Sequence, residues 1–72
     1  MILKTVKQIK NKIQSLKNKL EKKQLKENFG EKEQRELDDF IGDVWEYDYC
    51  DRMIIISLTK NFFEWCYNYI KV

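Results

Sequence analysis

Residues 2–20, ILKTVKQIKNKIQSLKNKL, place Ile2, Val6, Ile9, Ile13, Leu16 and Leu20 at intervals of 4, 3, 4, 3 and 4. That spacing lays one apolar seam along a helix, with a period nearer to that of a coiled coil than to that of a straight α-helix. The seam stops at Lys23, where the next apolar side chain is due, and Leu25 and Phe29 fall out of phase. The spacing therefore predicts a helix over about residues 2–27, with Gly30 as its C-terminal punctuation. With Val6, Ile13 and Leu20 at a and Ile2, Ile9 and Leu16 at d, the flanking positions include Lys10, Lys12, Lys17, Lys19 and Lys26. Two such helices side by side in parallel would set lysine against lysine, so an acidic neighbour is the better partner.

The chain supplies that neighbour. Residues 1–26 hold nine lysines and one acid, a charge of +8, whereas residues 27–51 hold ten acids against Lys32 and Arg35, a charge of −8. A second helix is predicted over about 31–47. Asn28 stands three residues before Glu31 as a reciprocal cap, and acids in the first turn suit the helix dipole. Leu37, Phe40, Ile41 and Val44 form its apolar stripe, and Glu31–Arg35 and Lys32–Glu36 are i,i+4 ion pairs. Gly42 within it weakens the helix by about 1 kcal/mol relative to alanine.

A third helix is predicted over about 51–70, capped by Asp48 or Asp51. Ile54, Ile55 and Ile56 also suit a strand, but the helical period organises the segment better. Ile55, Leu58, Phe62, Trp65, Cys66 and Tyr69 share one side, and Ile56, Phe63, Tyr67 and Ile70 widen the apolar arc to roughly 220°. Such a helix needs cover on two sides, from two helices of its own chain or from a second copy. The expectation is an all-α fold in a single domain over residues 1–72. An antiparallel α-hairpin with a basic and an acidic arm is sealed by a third helix, giving a three-helix bundle that is open to dimerisation.

Composition excludes several function classes. The absence of proline, and the presence of only Gly30 and Gly42, leave too few turn residues for an all-β domain. The longest apolar run, Met53–Ile56, is far short of the ~20 residues that span a membrane, and Lys4, Lys7 and Lys10 interrupt any export signal. The cytoplasm is the expected location. Cys50 and Cys66 stand alone and there is no histidine. The two read as free thiols in a reducing compartment, since a tetrahedral zinc site would need two thiolates from each of two chains. No metal or other cofactor is expected. Without an imidazole base, an activated nucleophile or a phosphate-cradling glycine loop, no catalytic residue is assigned and an enzyme is not expected.

Two charged surfaces remain. Glu36, Asp39, Asp43 and Glu46 follow intervals of 3, 4 and 3, which on a continuous helix aligns four carboxylates on one outward face. A row of that kind imitates a phosphate backbone and suits a partner protein with a basic surface, Tyr47 and Tyr49 being the adjacent aromatic anchors. The plainer alternative is an ordinary solvated helix face. The second surface is the lysine helix. Lys10, Lys12, Lys17, Lys19, Lys22, Lys23 and Lys26 offer phosphate contacts to nucleic acid. The first 26 residues contain no arginine to read base edges and no aromatic to stack on bases, so such binding would be weak and sequence-indifferent. A solvated lysine face is again the plain alternative. The apolar side of this helix also lacks the tryptophan and phenylalanine that favour a lipid surface, and no membrane partner is expected. A homodimer built on the third helix is a further reading.

Residues 27–33, Glu27-Asn28-Phe29-Gly30-Glu31-Lys32-Glu33, followed by Leu37, resemble a segment found in small proteins of phages and mobile elements of Gram-positive bacteria. The lysine- and asparagine-rich composition is similar. The resemblance implies a context, that of small proteins that bind and redirect host machinery, among them inhibitors of host defence nucleases, acting in the host cytoplasm. It assigns no residue a role.

Overall fold

Thr5 sets where the first helix begins. Its hydroxyl accepts a hydrogen bond from the Gln8 backbone N–H (3.2 Å), and the Gln8 side-chain oxygen accepts one from the Thr5 backbone N–H (2.8 Å). This reciprocal cap starts α1 at Val6–Lys23, four residues later than the apolar spacing alone predicts. The computed structural model describes residues 3–23 and 29–71. Asn28 and Lys26 lie outside the described residues, and with them the expected cap of the second helix.

The second helix, α2 (Phe29–Ile41), begins earlier and ends sooner than its sequence pattern suggests. Gly30 belongs to its first turn and does not terminate α1. The terminator is Gly42, which has φ 79° and donates its N–H to the Asp38 carbonyl at 3.0 Å. That is a left-handed C-terminal cap, a conformation glycine adopts without steric cost. Gly42 thus stops the helix where the sequence pattern runs through it to residue 47. A short 3-10 turn, Val44–Glu46, follows, with the Asp43 carboxylate accepting the Trp45 N–H at 2.9 Å. Asp48 then accepts the Asp51 N–H at 2.9 Å and caps α3 (Tyr49–Lys71). At about 1.5 Å per residue this helix runs most of the molecule's length, whose longest extent is 36 Å.

The three helices form an all-α bundle in which every pair is in contact. Ile9, Ile13, Leu16 and Leu20 of α1 are buried against Leu37 and Ile41 of α2 and Ile55, Phe62 and Cys66 of α3. Four members of the predicted α1 seam are therefore core. Val6 is half-buried and Ile2 lies outside the described residues. The first two helices run antiparallel, as the charge pattern requires. Lys12 Nζ lies 3.2 Å from a Glu36 carboxylate oxygen and Lys19 Nζ lies 4.0 Å from the other. Lys4 and Lys12 stand over the Phe40 ring at 5.1 and 5.5 Å. Among the described residues, neither the Glu31–Arg35 nor the Lys32–Glu36 pair closes as an ion pair. Glu36 reaches across to α1 instead.

Tyr47 locks the connection between α2 and α3. It is only 8% exposed. Its hydroxyl accepts the Lys4 N–H at 2.9 Å and donates to the Ile41 carbonyl at 3.5 Å, tying the start of α1 to the end of α2. On α3, Trp65 stacks between Phe62 and Tyr69, with ring centroids 6.4 and 5.1 Å away. Lys17 of α1 lies over its ring at 5.3 Å.

Candidate protein-binding surface

The four carboxylates expected in one row do not share one helix. Only Glu36 and Asp39 belong to α2, because Gly42 ends it. Asp43 caps the 3-10 turn and Glu46 closes it. Glu36 is also half-buried and turned toward Lys12 and Lys19. Its carboxyl is held below the usual carboxylate range, chiefly by the Lys12 hydrogen bond, with the charges of Lys12, Lys19 and Lys32 adding and partial burial opposing. Glu36 therefore serves the helix pair, and the continuous ridge gives way to a different arrangement. Tyr47 likewise leaves the surface for the core, because its ring fills the α2–α3 junction and its hydroxyl is bonded on both sides.

What replaces the ridge is an acidic, aromatic end of the bundle. Asp38 and Asp39 near the end of α2, and Asp43, Glu46 and Asp48 in the connection that follows, are exposed, and Asp51 in the first turn of α3 is half-buried. Trp45 (69% exposed) and Tyr49 (67% exposed) project from the same stretch. The Arg52 guanidinium sits 5.1 Å from the Trp45 ring and 5.6 Å from the Tyr49 ring, so one cation holds both rings in place. Sequence reasoning selects Tyr49 but passes over Trp45. The sequence signal beside Trp45 is Asp43 two residues before it, a spacing at which a carboxylate caps a tight turn.

The lysine surface is partly spent inside the fold. Lys12 and Lys19 face Glu36, and Lys17 lies over Trp65. Lys10 and Lys22 are exposed. Lys23 closes α1, and Lys26 lies outside the described residues. Lys10, Lys12, Lys17, Lys19 and Lys22 thus do not present one uninterrupted cationic face.

The two thiols differ sharply. Cys50 is exposed and Cys66 is buried in the core. Burial, aided by the nearby Glu33 charge and opposed by Lys17, pushes the Cys66 thiol up to about 11. At neutral pH it stays protonated and behaves as a small apolar side chain. Glu33 itself is 2% exposed, and its Oε2 has no hydrogen-bond partner among the described residues.

No helix among the described residues is long and apolar enough to cross a membrane. Comparison of the chain with protein-family profiles, curated proteins and solved structures finds no match. The functional reading therefore rests on the chain's own surfaces.

Proposed function

We propose that this chain is a non-enzymatic protein-binding module that docks onto a basic surface of another protein through its acidic, aromatic end. The observation that supports this most is Trp45. Trp45 is 69% exposed beside Tyr49 at 67%, Arg52 lies against both rings, and the Asp43 carboxylate accepts the Trp45 backbone N–H, so two aromatic rings stand together in an acidic stretch of surface. Tryptophan and tyrosine anchor interface hot spots, while surrounding charge steers the partner and fixes its orientation. Asp39, Asp43 and Glu46 keep the role that the sequence suggested for them, joined by Asp48, Trp45 and Tyr49. Glu36 and Tyr47 drop out. The phage-type resemblance points to a host nucleic-acid-binding protein as the partner class, and the basic groove of such a protein is the complement this surface requires. Two free thiols agree with a reducing compartment, and we place the protein in the cytoplasm.

The test is capture by photo-crosslinking from position 49 in a lysate of the source cells. The wild-type chain is expected to capture a protein through a basic surface. A variant carrying Trp45→Ala, Asp39→Lys, Asp43→Asn and Glu46→Lys is expected to lose capture at least tenfold with its helical circular dichroism unchanged. Asp43→Asn removes the charge and keeps the capping oxygen for Trp45. Undiminished capture by this variant, or capture through an acidic surface, overturns the proposal.

A further inference from the structure

The outward side of α3 carries a second heptad pattern, outside the buried core. Tyr49, Met53, Ile56, Lys60, Phe63 and Tyr67 follow intervals of 4, 3, 4, 3 and 4, the repeat of a coiled-coil seam. All six are exposed, the five apolar and aromatic ones by 40 to 67%. They are turned away from Ile55, Phe62 and Cys66, which α1 and α2 cover. A groove of about 690 Å³ between α2 and α3 is lined by the seam residues Ile56, Lys60 and Phe63 together with Ile41 and Val44, and gives an incoming side chain a recess.

We propose that this seam is the interface of an antiparallel homodimer, α3 against α3 of a second copy, with the twofold axis beside residue 58. Register is the first argument. When residue i faces residue 116 − i of the second copy, Met53 meets Phe63, Ile56 meets Lys60 and Tyr49 meets Tyr67, each with its symmetry mate. Every a-type position then packs on a d-type position. A slip of one heptad either way leaves aromatic side chains unmatched at the ends.

Charge selects the direction. A parallel pair would stack Lys60 on Lys60 in mid-seam, and would set each acidic end beside the other. The antiparallel pair places each Lys60 against Ile56. Its stem can then cover apolar surface while its ammonium stays in water, and Asp38 and Glu64 line the same groove as Lys60. The two ends of the molecule also carry opposite charge. The α2–α3 connection and the first turn of α3 carry Asp43, Glu46, Asp48 and Asp51 against Lys4 and Arg52, whereas Lys17 and Lys22 lie toward the end where Lys17 meets Trp65. Antiparallel docking brings unlike ends together.

Area sets the strength. Five partly exposed large side chains offer roughly 500–600 Å² per copy, or about 1,000–1,200 Å² for the pair, at the lower edge of specific interfaces. The dimer is therefore a concentration-dependent one. Tyr49 belongs to both surfaces, whereas Met53, Ile56 and Phe63 lie outside the acidic end that serves the proposed partner, so substitutions at these three test the dimer apart from that partner.

The experiment is sedimentation velocity of the full chain from 5 to about 500 µM, concentrations that span the affinity expected for such an area. The mass is expected to rise from 8.9 kDa toward twice that value. Ile56→Glu with Phe63→Glu is expected to hold it at the monomer value, with helicity retained. In a Cys50→Ser background, Ser57→Cys, on the exposed flank next to the axis, is expected to join two copies with a short bismaleimide. Tyr49→Cys alone should not join, and a mixture of Tyr49→Cys with Tyr67→Cys should. A monomer at every concentration overturns the proposal and returns the seam to a different protein. Joining by Tyr49→Cys alone overturns it in favour of a parallel pair.

Discussion

Glu33 is a carboxylate inside a small core, with one oxygen lacking a hydrogen-bond partner among the described residues. An unpartnered polar atom of that kind costs free energy that an apolar side chain of similar volume does not. Glu33→Met is therefore expected to raise stability by about 1–3 kcal/mol in urea denaturation at pH 7; a loss of stability would mean that the carboxylate is compensated. In the sequence, Glu33, Leu37 and Ile41 repeat at i,i+4, so the position was legible as core-facing. The residue type hid it, because an acid in an acidic run reads as surface. Glu36 is the contrasting case, a carboxylate with partners. Its folded-state pKa is lowered, chiefly by the Lys12 hydrogen bond, so its contribution is present above the ordinary carboxylate range and disappears as pH falls through the lowered value. The side chain is 36% exposed and solvent screens the pair. Glu36→Gln should thus cost about 0.5 kcal/mol at pH 7 and nothing once both states are protonated, which urea melts at the two pH values would check.

At the scale of the element, the end of α2 decides most about the surface. The apolar stripe Leu37, Phe40, Ile41 and Val44 continues in helical phase past Gly42, and periodicity alone carries the helix on to residue 47. The chain instead takes the left-handed conformation at Gly42 that only glycine adopts freely, and Val44 enters a 3-10 turn. That single reversal breaks the carboxylate row, sends Tyr47 inward and turns Trp45 outward. Gly42→Ala is expected to cost about 1–2 kcal/mol in thermal or urea unfolding, where alanine inside a regular helix would be stabilising. A stabilised variant would show that α2 can run on. The start and end of α3 were read to within two residues, whereas the start of α1 and the end of α2 were not. Asp48 caps α3 as its position suggests, and the Thr5–Gln8 box of α1 was available as a T-x-x-Q pattern that the longer apolar seam obscured.

For the molecule as a whole, α3 is the helix that both others need. Phe62 is fully buried and Phe63, its neighbour in sequence, is 45% exposed. Phe62→Ala removes a ring from the core at a cost of about 3–5 kcal/mol. A domain of this size holds only about 4–11 kcal/mol in total. The variant is expected to be largely unfolded by circular dichroism near its former melting midpoint, whereas Phe63→Ala should change monomer stability by about 0.5–1 kcal/mol or less. Equal losses at the two positions would contradict the side of α3 assigned to the core.

Helical class, the antiparallel basic and acidic arms and the inward stripes of α1 and α3 were determined by the sequence by itself, because helical period and charge segregation are written in local spacing. The tertiary structure alone decided that Tyr47 is core, that Glu33 is buried, that Glu36 belongs to the helix pair and that Trp45 faces out. Those outcomes depend on long-range contacts, such as Lys4 with Tyr47, that close only after Gly42 has turned the chain. The broad apolar arc of α3 shows the division most plainly. Its width follows from composition, but which part stays exposed follows from where two other helices come to rest.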